Sequence, residues 1–299
     1  MTASVMTDAA PSRLPDLVLV GVTLIWGSTF LIVQTALQWV GPFGFVALRF
    51  GVAALVALLL SWRELRRVTR AEWRSGLLIG SVLFASYSLQ TMGLAEIASS
   101  KSAFLTGLYV PLVPLLQLLL FRRPPGAAAW LGIAIAFAGL VLLSDPRGMQ
   151  WAFGRGEALT LAGAAMIALE ICLVSRFARQ CHPRRVSLVQ LLVVAVLALP
   201  AAYVHGEALP QLQPGLLACV LFIGLATAGI QIAMNWAQKS VPATRATVIY
   251  AMEPVWGGLV GWLAGETLTV LGVTGALLVV TSVLVSELLP RRLAQADAA

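Results

Sequence analysis

The sequence predicts an all-α polytopic membrane protein: ten transmembrane helices built as two inverted five-helix repeats around a central cavity. Three observations carry that expectation. Of 299 residues, 59% are hydrophobic and only 11% charged, with a mean hydropathy of +0.89, whereas a soluble domain carries about 25% charged residues to keep its surface in water. Apolar runs of about 20 residues, the length that crosses a bilayer core as helix, recur along the chain. The second half also echoes the first. YVPLVPLLQLLLFRRPPGAAAWLG lies over MEPVWGGLVGWLAGETLTVLGVTG without a gap, setting Pro111 on Pro254 and Gly132 on Gly275.

Turn residues and charges punctuate the spans in order. The first repeat, residues 16–144, holds Asp16–Trp39, Pro42–Trp62, Ser75–Gly93, Ala98–Phe121 and Gly126–Ser144. An outer linker, 145–155, leads to the second repeat, 156–289, with Gly156–Ala178, Arg185–Val204, Pro214–Ala237, Pro242–Ala264 and Leu268–Leu289. Pro42 and Arg49 match Pro183 and Gln190 at equal spacing. Five spans per repeat is odd, so the second copy must be inverted in the membrane, a construction common in secondary transporters.

The net charge is +7 and the sequence pI about 10.0, but the basic residues sit in links between spans. They do not form a stripe for nucleic acid. With the N-terminus inside, the inner segments hold Arg13, Arg63, Arg66, Arg67, Arg70, Arg74, Arg122, Arg123, Arg176, Arg179, Arg184, Arg185, Lys239, Arg245, Arg291 and Arg292; the outer ones hold only Lys101, Arg147 and Arg155. That asymmetry predicts cytoplasmic tails at 1–15 and 290–299. MTASVMTDAAPSR lacks a basic n-region and no small-residue cleavage site follows, so the first run is expected to be a retained helix. Cys172, Cys181 and Cys219 offer neither CxxC spacing nor an even count, and Cys181-His182 has no second ligand set, so neither a disulfide framework nor a metal site is expected.

WGSTFLIVQTAL (Trp26–Leu37) and MEPVWGGLVGWLAGETLTVLGVTGALLVV (Met252–Val280) resemble the two repeat signatures of the EamA-type drug/metabolite transporter superfamily. The first is similar to that family's opening helix. The second is similar to its helix–short turn–helix ending, with a mid-helix proline and Gly-Glu at the turn. The resemblance covers essentially the whole chain. It implies the ten-helix inverted-repeat fold, a central cavity and export of small metabolites, often amino acids; within the superfamily the chain is similar to bacterial aromatic amino acid exporters. One departure is visible: where the second repeat has Gly265-Glu266, the first has Arg122-Arg123.

Glu253 stands about 16 Å along the helix from Pro242, near the middle of a hydrocarbon core about 30 Å thick. A carboxylate there faces the bundle interior, and Pro254 frees a backbone carbonyl beside it. Its two readings are substrate contact or proton carriage, and a packing hydrogen bond. Glu170 presents the same choice. Arg49, about 10 Å from the outer end of its span, is either a snorkelling anchor or an anion contact. Thr227, Gln231, Asn235 and Gln238 share one face of the eighth span, as cavity lining or interhelical glue. Ser81, Ser88 and Thr91, with Tyr87 beside them, give the third span polar character. Trp26, Tyr109, Tyr250 and Trp256 lie near the midplane, whereas Trp39, Trp62 and Trp73 fit the interfacial belt. Gly257, Gly261 and Gly265 allow close helix approach. Glu96 and Glu266 fall at helix ends or turns.

The expected substrate-binding residues are therefore Trp26, Tyr87, Tyr109, Gln231, Asn235, Tyr250 and Glu253, with Glu253 and Glu170 as candidates for proton coupling. No cofactor is expected, since no HExxH, Walker-type, GxSxG or paired-Cys motif appears. The expected partners are a small amphipathic metabolite and the lipid bilayer, and the oligomeric state, monomer or homodimer, stays open. A passive channel and an integral-membrane enzyme are the rival readings. The second would need a titratable constellation, and only His182, His205 and scattered carboxylates offer one.

Overall fold

The computed structural model describes residues 13–122, 125–143, 153–263 and 269–296, which are helix and short links with no strand among them. In chain order the helices are α1 (Leu14–Gly27), α2 (Thr29–Ala36), α3 (Pro42–Leu65), α4 (Arg70–Glu96), α5 (Ser99–Thr106), α6 (Tyr109–Phe121), α7 (Ala127–Leu143), α8 (Arg155–Phe177), α9 (Pro183–Val204), α10 (Pro214–Ala237), α11 (Ala243–Tyr250), α12 (Glu253–Leu263) and α13 (Val270–Ala296). Seven stretches are long and apolar enough to cross a membrane: Leu14–Ala36, Pro42–Leu65, Arg70–Glu96, Lys101–Phe121, Arg155–Phe177, Pro183–Val204 and Pro214–Ala237. Ala127–Leu143 and Val270–Val285 are apolar but shorter. Large apolar side chains stand on the outside, among them Leu59 at 67% and Leu119 at 73% exposure. Such a surface is stable against hydrocarbon and not against water. The Gly265-Glu266 turn, Arg123 and Arg147 lie outside the described residues.

Three of the expected spans are interrupted, one of them at Pro254, where the sequence predicts a freed carbonyl. Pro111 and Pro254 lack the N–H that would reach back four residues, and their rings crowd the carbonyls of Gly107 and Tyr250. The chain breaks right there. α5 stops at Thr106 and α6 resumes at Tyr109; α11 stops at Tyr250 and α12 resumes at Glu253. The links tighten, with Val110 N–H bonding Gly107 O at 3.1 Å and Met252 N–H bonding Ile249 O at 3.0 Å. The third break, between α1 and α2, has no proline. There the hydroxyls of Thr23, Ser28 and Thr29 bond Val20 O, Ile25 O and Trp26 O at 2.7–2.8 Å, the back-bonding that bends helices.

α7 lies along α13, α4 along α8 and α3 along α9 in the most extensive pairings. Glycines set the closest crossings. A β-carbon on Gly275 would sit 2.5 Å from Gly139 O, and one on Gly27 would sit 2.5 Å from Glu253 O and 2.8 Å from Gly257 N. α1 and α12 therefore touch backbone to backbone, and of the predicted glycine series Gly257 makes that approach. The central pair α3 and α9 each begin with proline, where no donor is needed. Each takes a carboxylate cap from the other half of the chain. Glu207 accepts from Phe43 N–H at 2.9 Å and Gly44 N–H at 2.7 Å, and Glu72 accepts from His182 N–H at 2.9 Å. Both carboxylates also complement the positive end of the helix dipole.

Candidate functional site

The α1–α2 break aims Trp26, Thr29, Phe30 and Val33 at a central cavity. α3 adds Arg49, and α4 adds Tyr87, Gln90, Thr91 and Leu94. Thr106 and Tyr109 flank the α5–α6 break, while Ile167, Glu170 and Ile171 come from α8, Met234 from α10 and Glu253 from the first position of α12. Interrupted backbone at depth is tolerated where it lines such a space. All three breaks place their first resumed residue, Thr29, Tyr109 and Glu253, on the lining.

Of the residues expected to bind substrate, Trp26, Tyr87, Tyr109 and Glu253 line this cavity, and Glu170 joins them. Gln231, Asn235 and Tyr250 stand one layer behind, at 0%, 1% and 0% exposure. Gln231 Nε2 donates to Glu170 Oε1 at 3.3 Å. Asn235 Nδ2 faces Gln190 Oε1 at 2.8 Å, Gln231 O at 2.9 Å and Ser187 Oγ at 3.0 Å. Its two protons serve three acceptors, so one is shared. Tyr250 Oη accepts from Gln238 Nε2 at 3.0 Å, and its ring meets Trp26 edge-on at 5.3 Å. The polar face of α10 is thus a row of bonds to α3, α8, α9 and α11. It holds the lining in position.

Arg49 is 5% exposed. Its Nε donates to Thr227 Oγ1 at 2.8 Å, and its guanidinium carbon lies 4.4 Å from the Tyr87 ring centroid and 5.5 Å from that of Phe50. The bond to the Thr227 hydroxyl and the two rings fix its direction. Trp256, expected near the midplane, bonds Thr23 Oγ1 through Nε1 at 2.9 Å and ties α12 to α1. Sequence reasoning did not single out Thr29, Phe30, Gln90 or Thr106 for this wall. The hydroxyls on either side of Gly27 were the available signal for the first two.

Ion pairs close both ends of the molecule. At the end carrying Arg13, Arg245 Nη2 meets Asp16 Oδ2 at 2.9 Å, and Arg185 Nε meets Glu64 Oε2 at 2.7 Å. At the opposite end Lys101 pairs with Glu157, and Arg155 reaches Glu96 at 3.4 Å.

A bundle of apolar helices, broken at depth around a cavity with buried charges of both signs, defines a polytopic membrane protein built to handle a solute. The chain belongs to the EamA-like transporter family, whose model matches twice, at residues 13–145 and 154–288. It is 31% identical over 278 residues to an uncharacterized transporter of Archaeoglobus fulgidus, covering 91% of this chain and 85% of that protein. It is 28% identical over 258 residues to the uncharacterized inner membrane transporter YedA of Escherichia coli, covering 82% and 81%. A protein of known crystal structure shares the fold, with a TM-score of 0.78 at 21% identity over 94% of this chain and 99% of that one.

Proposed function

We propose that this protein is a secondary transporter of the inner membrane that exports amino acids, aromatic or otherwise bulky and apolar, by alternating access to the central cavity. The observation that carries this reading is the lining itself: Trp26, Phe30, Tyr87 and Tyr109 offer flat apolar area, beside Arg49, Glu170 and Glu253. Rings add about 0.5–1.5 kcal/mol per stacked pair beyond burial. A small ion would call instead for rings of charge or carbonyl. The relative YedA is named an inner membrane transporter, which supports that location here.

The ten-span inverted arrangement belongs to the same proposal, with α1–α2, α5–α6 and α11–α12 each counted as one interrupted span and both termini cytoplasmic by the positive-inside asymmetry. Repeat-related contacts support it. A β-carbon on Gly80 would meet Val193 Cβ at 2.8 Å and Gln190 O at 3.0 Å; one on Gly224 would meet Val52 Cβ at 2.6 Å and Arg49 O at 3.1 Å. Gln190 and Arg49 are the matched positions of the two repeats. The ion pairs obey the same symmetry. Asp16 and Glu157 are each the third residue of α1 and α8, and their partners Arg245 and Lys101 each the third residue of α11 and α5. In this reading they are one latch used twice, on opposite faces of the membrane. Opening one while the other holds would expose the cavity to each side in turn.

Purified protein in sealed liposomes is expected to move phenylalanine, tyrosine or tryptophan faster than aspartate or lysine. Trp26→Ala should weaken phenylalanine handling about 2- to 10-fold, while Trp62→Ala, at a side chain 60% exposed on the outside, should leave it unchanged. Tyr250→Phe, which keeps the ring against Trp26, should cost less than Trp26→Ala. Faster aspartate transport, or equal effects at Trp26 and Trp62, would overturn the substrate assignment.

A further inference from the structure

We propose that Arg49 is the seat for a carboxylate on the transported molecule, so that the cavity takes compounds joining a free carboxylate to an apolar or aromatic body. The inference rests on the transport reading and specifies what the cavity must recognise. Arg185 and Arg245 each reach a carboxylate at 2.7 and 2.9 Å, and Lys101 pairs with Glu157. Arg49 is buried more deeply, yet among the described residues no carboxylate pairs with it.

The cavity does contain carboxylates. Glu170 is held by Gln231 at 3.3 Å, and Glu253 opens α12. Both line the space with Arg49, and neither is in ion-pair contact with it. Collapsing onto one of them would neutralise the guanidinium internally; its bond to Thr227 and the Tyr87 ring hold it back. A buried guanidinium without a counter-charge is costly, and arginine's planar fork matches a carboxylate with two parallel bonds. With Nε committed to Thr227, the terminal amino groups remain the fork. A second donor lines the same cavity: the buried Trp26 Nε1 has no acceptor among the described residues. Donors from α1 and α3 and carboxylates from α8 and α12 line the same cavity, giving each charge of a zwitterion a partner. A ligand with only a cationic head would leave Arg49 buried and uncompensated.

The test uses four ligands sharing one ring: phenylalanine, 3-phenylpropionate, phenylalaninamide and phenethylamine. Binding to the purified full-length protein is read by ligand-induced thermal stabilisation, and transport by efflux from liposomes. Phenylalanine and 3-phenylpropionate are expected to bind at least about tenfold more tightly than the amide and the amine, since a site built around a buried polar group discriminates against ligands that leave it unpaired. Arg49→Gln should bring the four to within about twofold of one another, and Arg49→Lys should restore part of the preference. Amide or amine binding as well as the acids, or Arg49→Gln keeping the wild-type ranking, overturns the proposal, and the wild-type ranking decides even where the variant fails to fold. Carboxylate-dependent binding without phenylalanine transport would uphold the Arg49 seat and sink the transport reading. Transport of all four alike would do the reverse.

Discussion

Locking either end of the molecule with a reducible thiol cross-link is expected to stop transport. Asp16 and Arg245 bridge α1 and α11, and Lys101 and Glu157 bridge α5 and α8, with each residue at the third position of its helix. If these are two uses of one latch, each must open once per cycle, so holding either closed arrests the cycle wherever the substrate sits. In a background without Cys172, Cys181 and Cys219, the paired replacements Asp16→Cys with Arg245→Cys, and Lys101→Cys with Glu157→Cys, bridged by a bis-methanethiosulfonate reagent long enough to span what the two side chains span, are each expected to cut transport to below about a tenth and recover on reduction. Burial already pushes the Cys181 thiol above its usual range, so the half-buried Cys219 is the native cysteine more exposed to cross-reaction. Undiminished transport through a fully cross-linked pair at either end would remove the latch assignment.

Glu253→Gln is the second large effect. Its side chain opens α12 at the break left by Pro254, faces the cavity, and has no hydrogen-bond or ion-pair partner among the described residues. Glutamine keeps the size and removes the ability to gain and lose a proton. If Glu253 carries a coupled proton, the variant should still exchange substrate across the membrane, while accumulation driven by a pH gradient falls to near the equilibrium ratio. Glu96→Gln, at the surface pair with Arg155, should leave accumulation intact. Gradient-driven accumulation by Glu253→Gln at the wild-type level would reduce Glu253 to a packing group.

The helical class was legible because the chemistry that produces it is local: apolar length and punctuating charge. The break at Pro254 was foreshadowed as well, since its ring acts on the carbonyl four residues before it; the break at Pro111, its match in the first repeat, has the same local cause. The break after Gly27 was not, because hydroxyl back-bonding is weak and common in any apolar helix. Depth counting put Trp26, Tyr109 and Glu253 at one level, and all three line the cavity, but depth says nothing of rotation about a helix axis. Gln231, Asn235 and Tyr250 lie at suitable depths and turn toward neighbouring helices, where amides and a phenol find partners across α8, α9 and α10. Arg49 was ambiguous for a related reason. Only the packed structure reveals that Thr227 and Tyr87 hold it inside, away from the interface to which a free arginine would snorkel.

The central claim, a carrier that exposes one cavity to each side in turn, is tested most directly by counterflow. Sealed liposomes holding the purified protein are loaded with unlabelled phenylalanine and diluted into a trace of labelled phenylalanine. A carrier returns loaded with label as often as it leaves with unlabelled substrate, so the label inside is expected to rise above its equilibrium level and then decay. Label that only climbs to equilibrium, as through an open channel, or that never enters, would contradict the account.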